Sequence, residues 1–259
     1  MTEPEKWSMM TEQIPPTATI LNVNVHALTN GQTLALIEQF IATGQPHQLT
    51  TVNPEFVVEA QHDDEFRRII NNAALALPDG IGLLKAARFL QTTPLPERVP
   101  GSDLVVRLAE LSHRQGYRIY FLGAWDGVAE QAIHNLTQRY PNLQVAGCYA
   151  GSPAPADNEA ILQRILPTKA DILLVAYGAP KQDKWIARNI ERLHVPVCIG
   201  VGGSFDFIAG TAKRAPVWMQ NLNLEWLHRL IQQPWRWRRI WNAVPRFSWL
   251  VLKSKLTHR

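Results

Sequence analysis

Short runs of aliphatic and β-branched residues recur along this chain, and helix-period segments fill the intervals between them. The runs are ATILNV (18–23), HQLTTV (47–52), ALAL (74–77), YRIYFLG (117–123), LQVAGCY (143–149), DILLVAYG (171–178) and VPVCIGVGG (195–203). Several are apolar almost throughout, as strands covered on both faces of a parallel sheet must be. Between them lie the amphipathic stretches LALIEQFIATG, FVVEAQHDDEFRRIINNA, DLVVRLAELSHRQG, VAEQAIHNLTQRY and KQDKWIARNIERL. This alternation predicts βαβ units with right-handed crossovers. The expected fold is α/β: a Rossmann-like, doubly wound, mostly parallel sheet flanked by helices. At 259 residues, 46% of them hydrophobic, the chain is long enough for one large domain of this kind and an appendage.

Charge divides the chain unevenly. From Thr211 to Arg259 there are ten Lys and Arg and one acid, Glu225, so this segment carries +9 of a total of +4 and leaves −5 on the first 210 residues. Six of the nine tryptophans fall in the same segment. An acidic-to-neutral body with a basic, aromatic tail implies that the tail meets something anionic. The leader, residues 1–16, carries acids and prolines and no apolar run, so it reads as neither a secretory signal nor an anchor. No window reaches the ~18–20 apolar residues that a membrane span requires; the longest candidate is FSWLVL, 247–252. Two cysteines, Cys148 and Cys198, lie in or beside strand runs and read as small core hydrophobes, in keeping with a reducing compartment.

In a doubly wound sheet, ligands bind outside the carboxyl ends of the strands. The residues just after the strand runs are TVNPE (51–55), PDGIG (78–82), GAWDG (123–127), GAPKQ (178–182) and GVGGSFD (200–206). Glycine close to a strand end lets backbone approach a ligand and leaves helix amino termini facing the pocket, which suits an anion such as a nucleotide diphosphate. Each motif also has a plain structural reading. GAWDG fits a phosphate loop or a tight turn. GVGG does not complete the dinucleotide pattern G-x-G-x-x-G, which disfavours a dehydrogenase. Asn53 stands where a helix cap would, before a proline at the first helical position. Asp79, in Pro-Asp-Gly, reads first as a turn residue or a helix cap, with a catalytic base as the alternative. The acidic run at 63–65 reads as a solvated helix face. There is no Asp-x-Asp pair and no His or Cys cluster with metal-ligand spacing, so no metal and no cofactor is expected.

In the tail, Leu222, Trp226, Leu227, Leu230 and Ile231 share one helical face before Pro234 interrupts. Arg229, Arg236 and Arg239 would share a face of a continuous helix, with Arg238 opposite. Arginines interleaved with tryptophans suit the surface of an anionic bilayer. The same composition suits single-stranded nucleic acid, or a packed helix at the core or in a homo-oligomer.

The blocks TTVNPEFVVEAQHDDEFRRIINNAALALPDGIGLLKAARFL, PERVPGSDLV, DILLVAYGAPKQDKWIARN, VPVCIGVGGSFDFIAGTAKRAPVWMQNLNLEWLHRLIQQPWRWRR and NAVPRFSWLVL closely resemble the WecG/TagA/CpsF family of bacterial glycosyltransferases, family 26. The resemblance covers about Ala18–Leu252. It implies an inverting, metal-independent transfer from a UDP-sugar donor to a polyprenyl-diphosphate-linked saccharide acceptor. Members transfer N-acetylmannosamine, N-acetylmannosaminuronic acid or glucose in cell-surface polysaccharide biosynthesis. The implied location is the cytoplasm, peripheral at the inner face of the membrane, with no nucleic acid as partner. By motif, the proposed catalytic aspartate falls on Asp79, pocket residues on Thr51 and Asn53, the basic residue of PERVPG on Arg98 and the glutamine of GAPKQ on Gln182. The family's appendage, which carries pocket-closing arginines, corresponds to roughly Thr211 onward, and Arg229, Arg236 and Arg239 are the candidates for that role. The implied organisation is a leader (1–16), a Rossmann-like domain (17–210) and a membrane-associating appendage (211–259).

Overall fold

The computed structural model describes residues 15–212, 216, 219, 225–232, 234 and 237–257. Strands β3 (His47–Val52), β4 (Leu75–Pro78), β5 (Arg118–Gly123), β6 (Gln144–Tyr149), β7 (Ile172–Ala176) and β8 (Val197–Gly200) form one sheet in the order β4-β3-β8-β7-β5-β6. Every neighbouring pair in it is parallel. The expected α/β architecture is therefore present.

Alternate side chains along the strands feed two cores. Ile119, Phe121, Ile172, Leu174, Val197 and Ile199 face Leu104, Leu108, Leu136 and Phe205 on one side. Tyr120, Leu122, Leu173, Val175 and Cys198 face Ile161, Leu162, Ile165, Trp185 and Ile186 on the other. This two-sided burial is why β7 is apolar at every position and buried along its whole length. Both cysteines are free; burial pushes the Cys198 thiol up to about 12.

One expectation is corrected at the start of the chain. The run 18–23 is not a strand of the parallel sheet. It splits into β1 (Thr17–Ile20) and β2 (Val23–His26), an antiparallel hairpin turned by Leu21 and Asn22, both at positive φ. Two left-handed residues in succession match the right-handed twist of a two-residue hairpin. The hairpin packs beside β4 and donates a side chain to it: the Ala76 N–H bonds to His26 Nδ1 at 2.8 Å. Burial holds that imidazole below its usual range, which keeps Nδ1 free to accept.

The stretch 56–73 is likewise two helices, Pro54–Glu59 and Asp64–Asn72. Asp63 caps the second through the Phe66 N–H at 3.0 Å, and its carboxylate pairs with Lys184 at 2.7 Å, as does Glu65 at 2.6 Å. The acidic run is thus a cap and a tie to helix Lys181–Leu193 rather than only a solvated face.

At the carboxyl end, helices Glu225–Gln232, Trp237–Trp241 and Phe247–Thr257 follow one another, the last two joined by a π-helical turn, Asn242–Arg246. Pro245, lacking an N–H, sits inside that turn, and the Phe247 N–H reaches back five residues to the Asn242 carbonyl. Phe247 and Val251 are buried against Val52, Phe56, Leu83 and Leu84, which fixes the last helix on the body. Among the described residues no helix is long and apolar enough to cross a membrane.

Candidate active site

A cavity of about 920 Å³ opens outside the carboxyl ends of β4, β3, β8 and β7. That volume lies in the usual range for small-molecule sites. Its floor is the start of successive helices. Asn53, Pro54 and Glu55 open one; Gly80, Ile81 and Gly82 open Ile81–Leu90; Pro100 and Ser102 open Gly101–Gln115; Ala179 and Gln182 open Lys181–Leu193. The last three of these helices have no side-chain cap at their amino ends. Their first-turn N–H groups and dipoles therefore converge on one space, an arrangement that favours a multiply charged anion.

The side chains in that space are held by strand ends and turns. Thr51, at the end of β3, is buried and donates to the Gly200 carbonyl at 3.0 Å, locking β3 to β8. Asn53 accepts from the Phe56 N–H at 3.1 Å, so it is both a helix cap and a cavity residue. Gln182 Oε1 accepts from Gly178 N–H at 3.1 Å and Gly202 N–H at 2.9 Å, clamping the loops after β7 and β8. Asp79 follows β4 directly, and its N–H bonds to the Val52 carbonyl at 2.7 Å. The cap of the following helix is Gly80, so Asp79 is not spent on capping and lines the cavity, half buried.

Positive charge comes from Lys85, Arg98 and Arg239. Arg239, from helix Trp237–Trp241, grips Glu55 in a fork, with Nε to Oε1 at 2.7 Å and Nη2 to Oε2 at 2.9 Å. That partner raises the guanidinium further above its usual value. Arg246 donates to His62 nearby. Trp226, Ile240, Val244, Phe247 and Leu252 close the cavity from the carboxyl-terminal side.

Of the residues singled out in the sequence, Thr51, Asn53, Asp79, Arg98, Gln182 and Arg239 line this one cavity. Arg229 belongs to helix Glu225–Gln232, but its side chain, like all of Arg236, lies outside the described residues. The turn Gly123–Gly127 does not line the cavity; a Cβ on Gly123, at φ 97°, would lie 2.9 Å from the Ala176 carbonyl carbon. GAWDG is a tight turn after β5. Tyr177 and Lys181 have Tyr-x-x-x-Lys spacing, yet one follows β7 and the other opens a helix beyond Pro180, so they share no helical face.

Sequence reasoning missed Lys85, Glu55 and Phe89. Ile81, Lys85 and Phe89 form an i, i+4, i+8 stripe leading from PDGIG, and that spacing was the available signal.

The family model described as "Glycosyl transferase WecG/TagA/CpsF family" matches residues 18–259. The chain belongs to this family. This glycosyltransferase is 35% identical to an N-acetylglucosaminyldiphosphoundecaprenol N-acetyl-beta-D-mannosaminyltransferase of Bacillus subtilis (strain 168), over 80% of this chain and 79% of the relative. It is 33% identical to a protein of the same name from Staphylococcus aureus (strain MW2), over 91% of this chain and 92% of that one.

The two motif loops of the glycosyltransferase touch each other closely. A Cβ on Gly82 would lie 2.8 Å from Pro54 Cγ and 3.7 Å from Phe247 Cε1. Gly82→Ala improves helix propensity by up to about 1 kcal/mol. Overpacking against a rigid proline ring costs about 1–3 kcal/mol. The steric term wins, and the variant is expected to unfold at a lower urea midpoint with an unchanged slope.

Proposed function

We propose that this glycosyltransferase moves a sugar of the N-acetylmannosamine, N-acetylmannosaminuronic acid or glucose type from a UDP-sugar to a polyprenyl-diphosphate-linked saccharide, with inversion and without a metal. The observation that carries the reading is the placement of Asp79, a carboxylate at a strand end, in one cavity with Lys85, Arg98 and Arg239 and among uncapped helix starts. The named relatives act on diphosphoundecaprenol-linked N-acetylglucosamine.

In this reading Asp79 takes the proton from the acceptor hydroxyl as its oxygen attacks the anomeric carbon from the face opposite UDP. The carbon–oxygen bond to the diphosphate breaks, and the electron pair leaves with UDP. A positioned base contributes typically 10²–10⁴ in rate. Lys85, Arg98, Arg239 and the helix starts stabilise the charge gathering on the diphosphate in a space that excludes water. Arg229 and Arg236, as arginines of the appendage, are assigned to the same closure. Thr51, Asn53 and Gln182 shape the walls.

The segment from 211 onward acts as a membrane-associating appendage on a body spanning 17–210. Trp237, Trp241, Trp249 and Leu256 are each more than half exposed. Aromatic rings of this kind rest at headgroup level, and nearby arginines and lysines meet anionic lipid. The enzyme therefore works peripherally at the inner face of the membrane.

The test is transfer of radiolabelled sugar from a panel of UDP-sugars to short-chain lipid-diphosphate-N-acetylglucosamine in EDTA. The reading expects a lipid-linked product of inverted anomeric configuration. Retention of configuration, or dependence on added Mn²⁺ or Mg²⁺, would overturn the mechanism.

A further inference from the structure

Beneath the cavity wall lies an acid that the transfer chemistry does not use. Asp183 is fully buried beside Gln182 Nε2 and the Thr50 hydroxyl, and neither of these two groups has another hydrogen-bond partner among the described residues. The three groups crowd against β8: a Cβ on Gly200 would lie 2.5 Å from Gln182 Nε2 and 3.0 Å from Asp183 Oδ1. Gln48 fixes the backbone at this point, its Nε2 donating to the Asp183 carbonyl at 3.0 Å. Gln182 turns its other end outward, where Oε1 holds the Gly178 and Gly202 N–H groups, and both glycines line the cavity.

We infer that Asp183 is a positioning residue: it braces the inner end of the Gln182 carboxamide, so that the outer end sets the Gly178 and Gly202 loops at the donor side of the cavity. A primary amide can flip by half a turn, and only one orientation presents oxygen to two N–H donors. An acceptor fixed behind Nε2 selects that orientation, because the carboxamide nitrogen can only donate. The inference rests on the cavity being the transfer site.

Burial pushes the Asp183 carboxyl up to about 7, with Thr50 and Gln182 pulling it back only partly. Other charged groups of the neighbourhood are engaged elsewhere: Lys184 pairs with Asp63 and Glu65, and Arg192 with Glu159. The folded value stands above the unfolded one, so the folded form holds the extra proton between them. That stabilisation is full at low pH and is lost as pH rises through about 7. Above that point the buried charge is favoured by Gln182 and Thr50, but its burial outweighs them, so the packing around the brace is destabilised.

The experiment compares donor KM and kcat from pH 5.5 to 9 for the wild type, Asp183→Asn and Asp183→Ala, with thermal unfolding alongside. Wild-type donor KM is expected to rise on the alkaline side. Asp183→Asn, the same shape without a titrating proton, should keep a low KM across the range and gain more Tm at pH 8.5 than at pH 5. Asp183→Ala should raise donor KM about tenfold at every pH, with kcat changed less. An alkaline rise in Asp183→Asn matching the wild type, or an unchanged KM in folded Asp183→Ala, overturns the assignment. If Asp183→Ala does not fold, the pH profile of Asp183→Asn alone decides. A wild type that transfers no sugar contradicts the function itself, a separate result.

Discussion

Asp79→Asn is expected to lower kcat by about 10²–10⁴ while leaving donor KM within about twofold. The substitution keeps shape but removes the negative charge and with it the capacity to take a proton. The fold should tolerate it, because Asp79 is held through its backbone N–H to Val52, and the following helix is capped by Gly80 rather than by the Asp79 side chain. Single-turnover transfer with saturating acceptor measures the chemical step. Equilibrium UDP binding on the same variant measures the ground state. Loss of turnover with retained binding identifies a base; equal loss of both would make Asp79 a binding residue.

Arg239→Ala should reduce kcat/KM by about 10²–10³, the cost usual for removing one group that stabilises developing negative charge. Its partner makes the effect specific. In the structure Arg239 is forked onto Glu55, which opens helix Pro54–Glu59 one residue after Pro54. A departing diphosphate competes with that carboxylate for the same guanidinium. The pair itself contributes little stability, since Arg239 is 47% exposed and Glu55 24%. Tm should therefore hardly change, whereas activity falls. A large drop in Tm with normal kcat/KM would assign Arg239 to structure alone. Arg239→Lys should recover only part of the loss, because a point charge does not reproduce the planar fork.

Much of the fold was legible because parallel strands buried on both faces have no polar alternation to obscure them. β7 and β8 stand out in the sequence for this reason. The first strand was misassigned because one apolar run, Ala18 to Val23, spans a hairpin whose turn includes Leu21, a residue that gives no turn signal. The break between helices at 60–63 was hidden in the same way: Asp63 caps a helix inside a stretch with continuous helical spacing.

The site was legible in parts. Strand-end glycines pointed to the right loops after β4, β7 and β8, and equally to the loop after β5, which stays outside the cavity. Periodicity favoured a turn or a cap over a base for Asp79. The family blocks pointed to the base, and the structure places Asp79 in the link between β4 and the next helix, off the cap and in the cavity, a position compatible with a base. Asp183 was hidden because its significance lies in full burial beside polar groups that only partly offset the cost of a charge there. That property depends on tertiary packing.

The central claim is that one cavity, walled by the ends of β4, β3, β8 and β7, binds the donor and carries the chemistry. A crystal structure with UDP tests it most directly. The account predicts density for the nucleotide in that cavity, its diphosphate among Lys85, Arg98 and Arg239 and the Asp79 carboxylate left open to the acceptor side. Nucleotide bound at the Gly123–Gly127 turn, or lying against Asp79 so that no acceptor hydroxyl can reach it, would contradict the account.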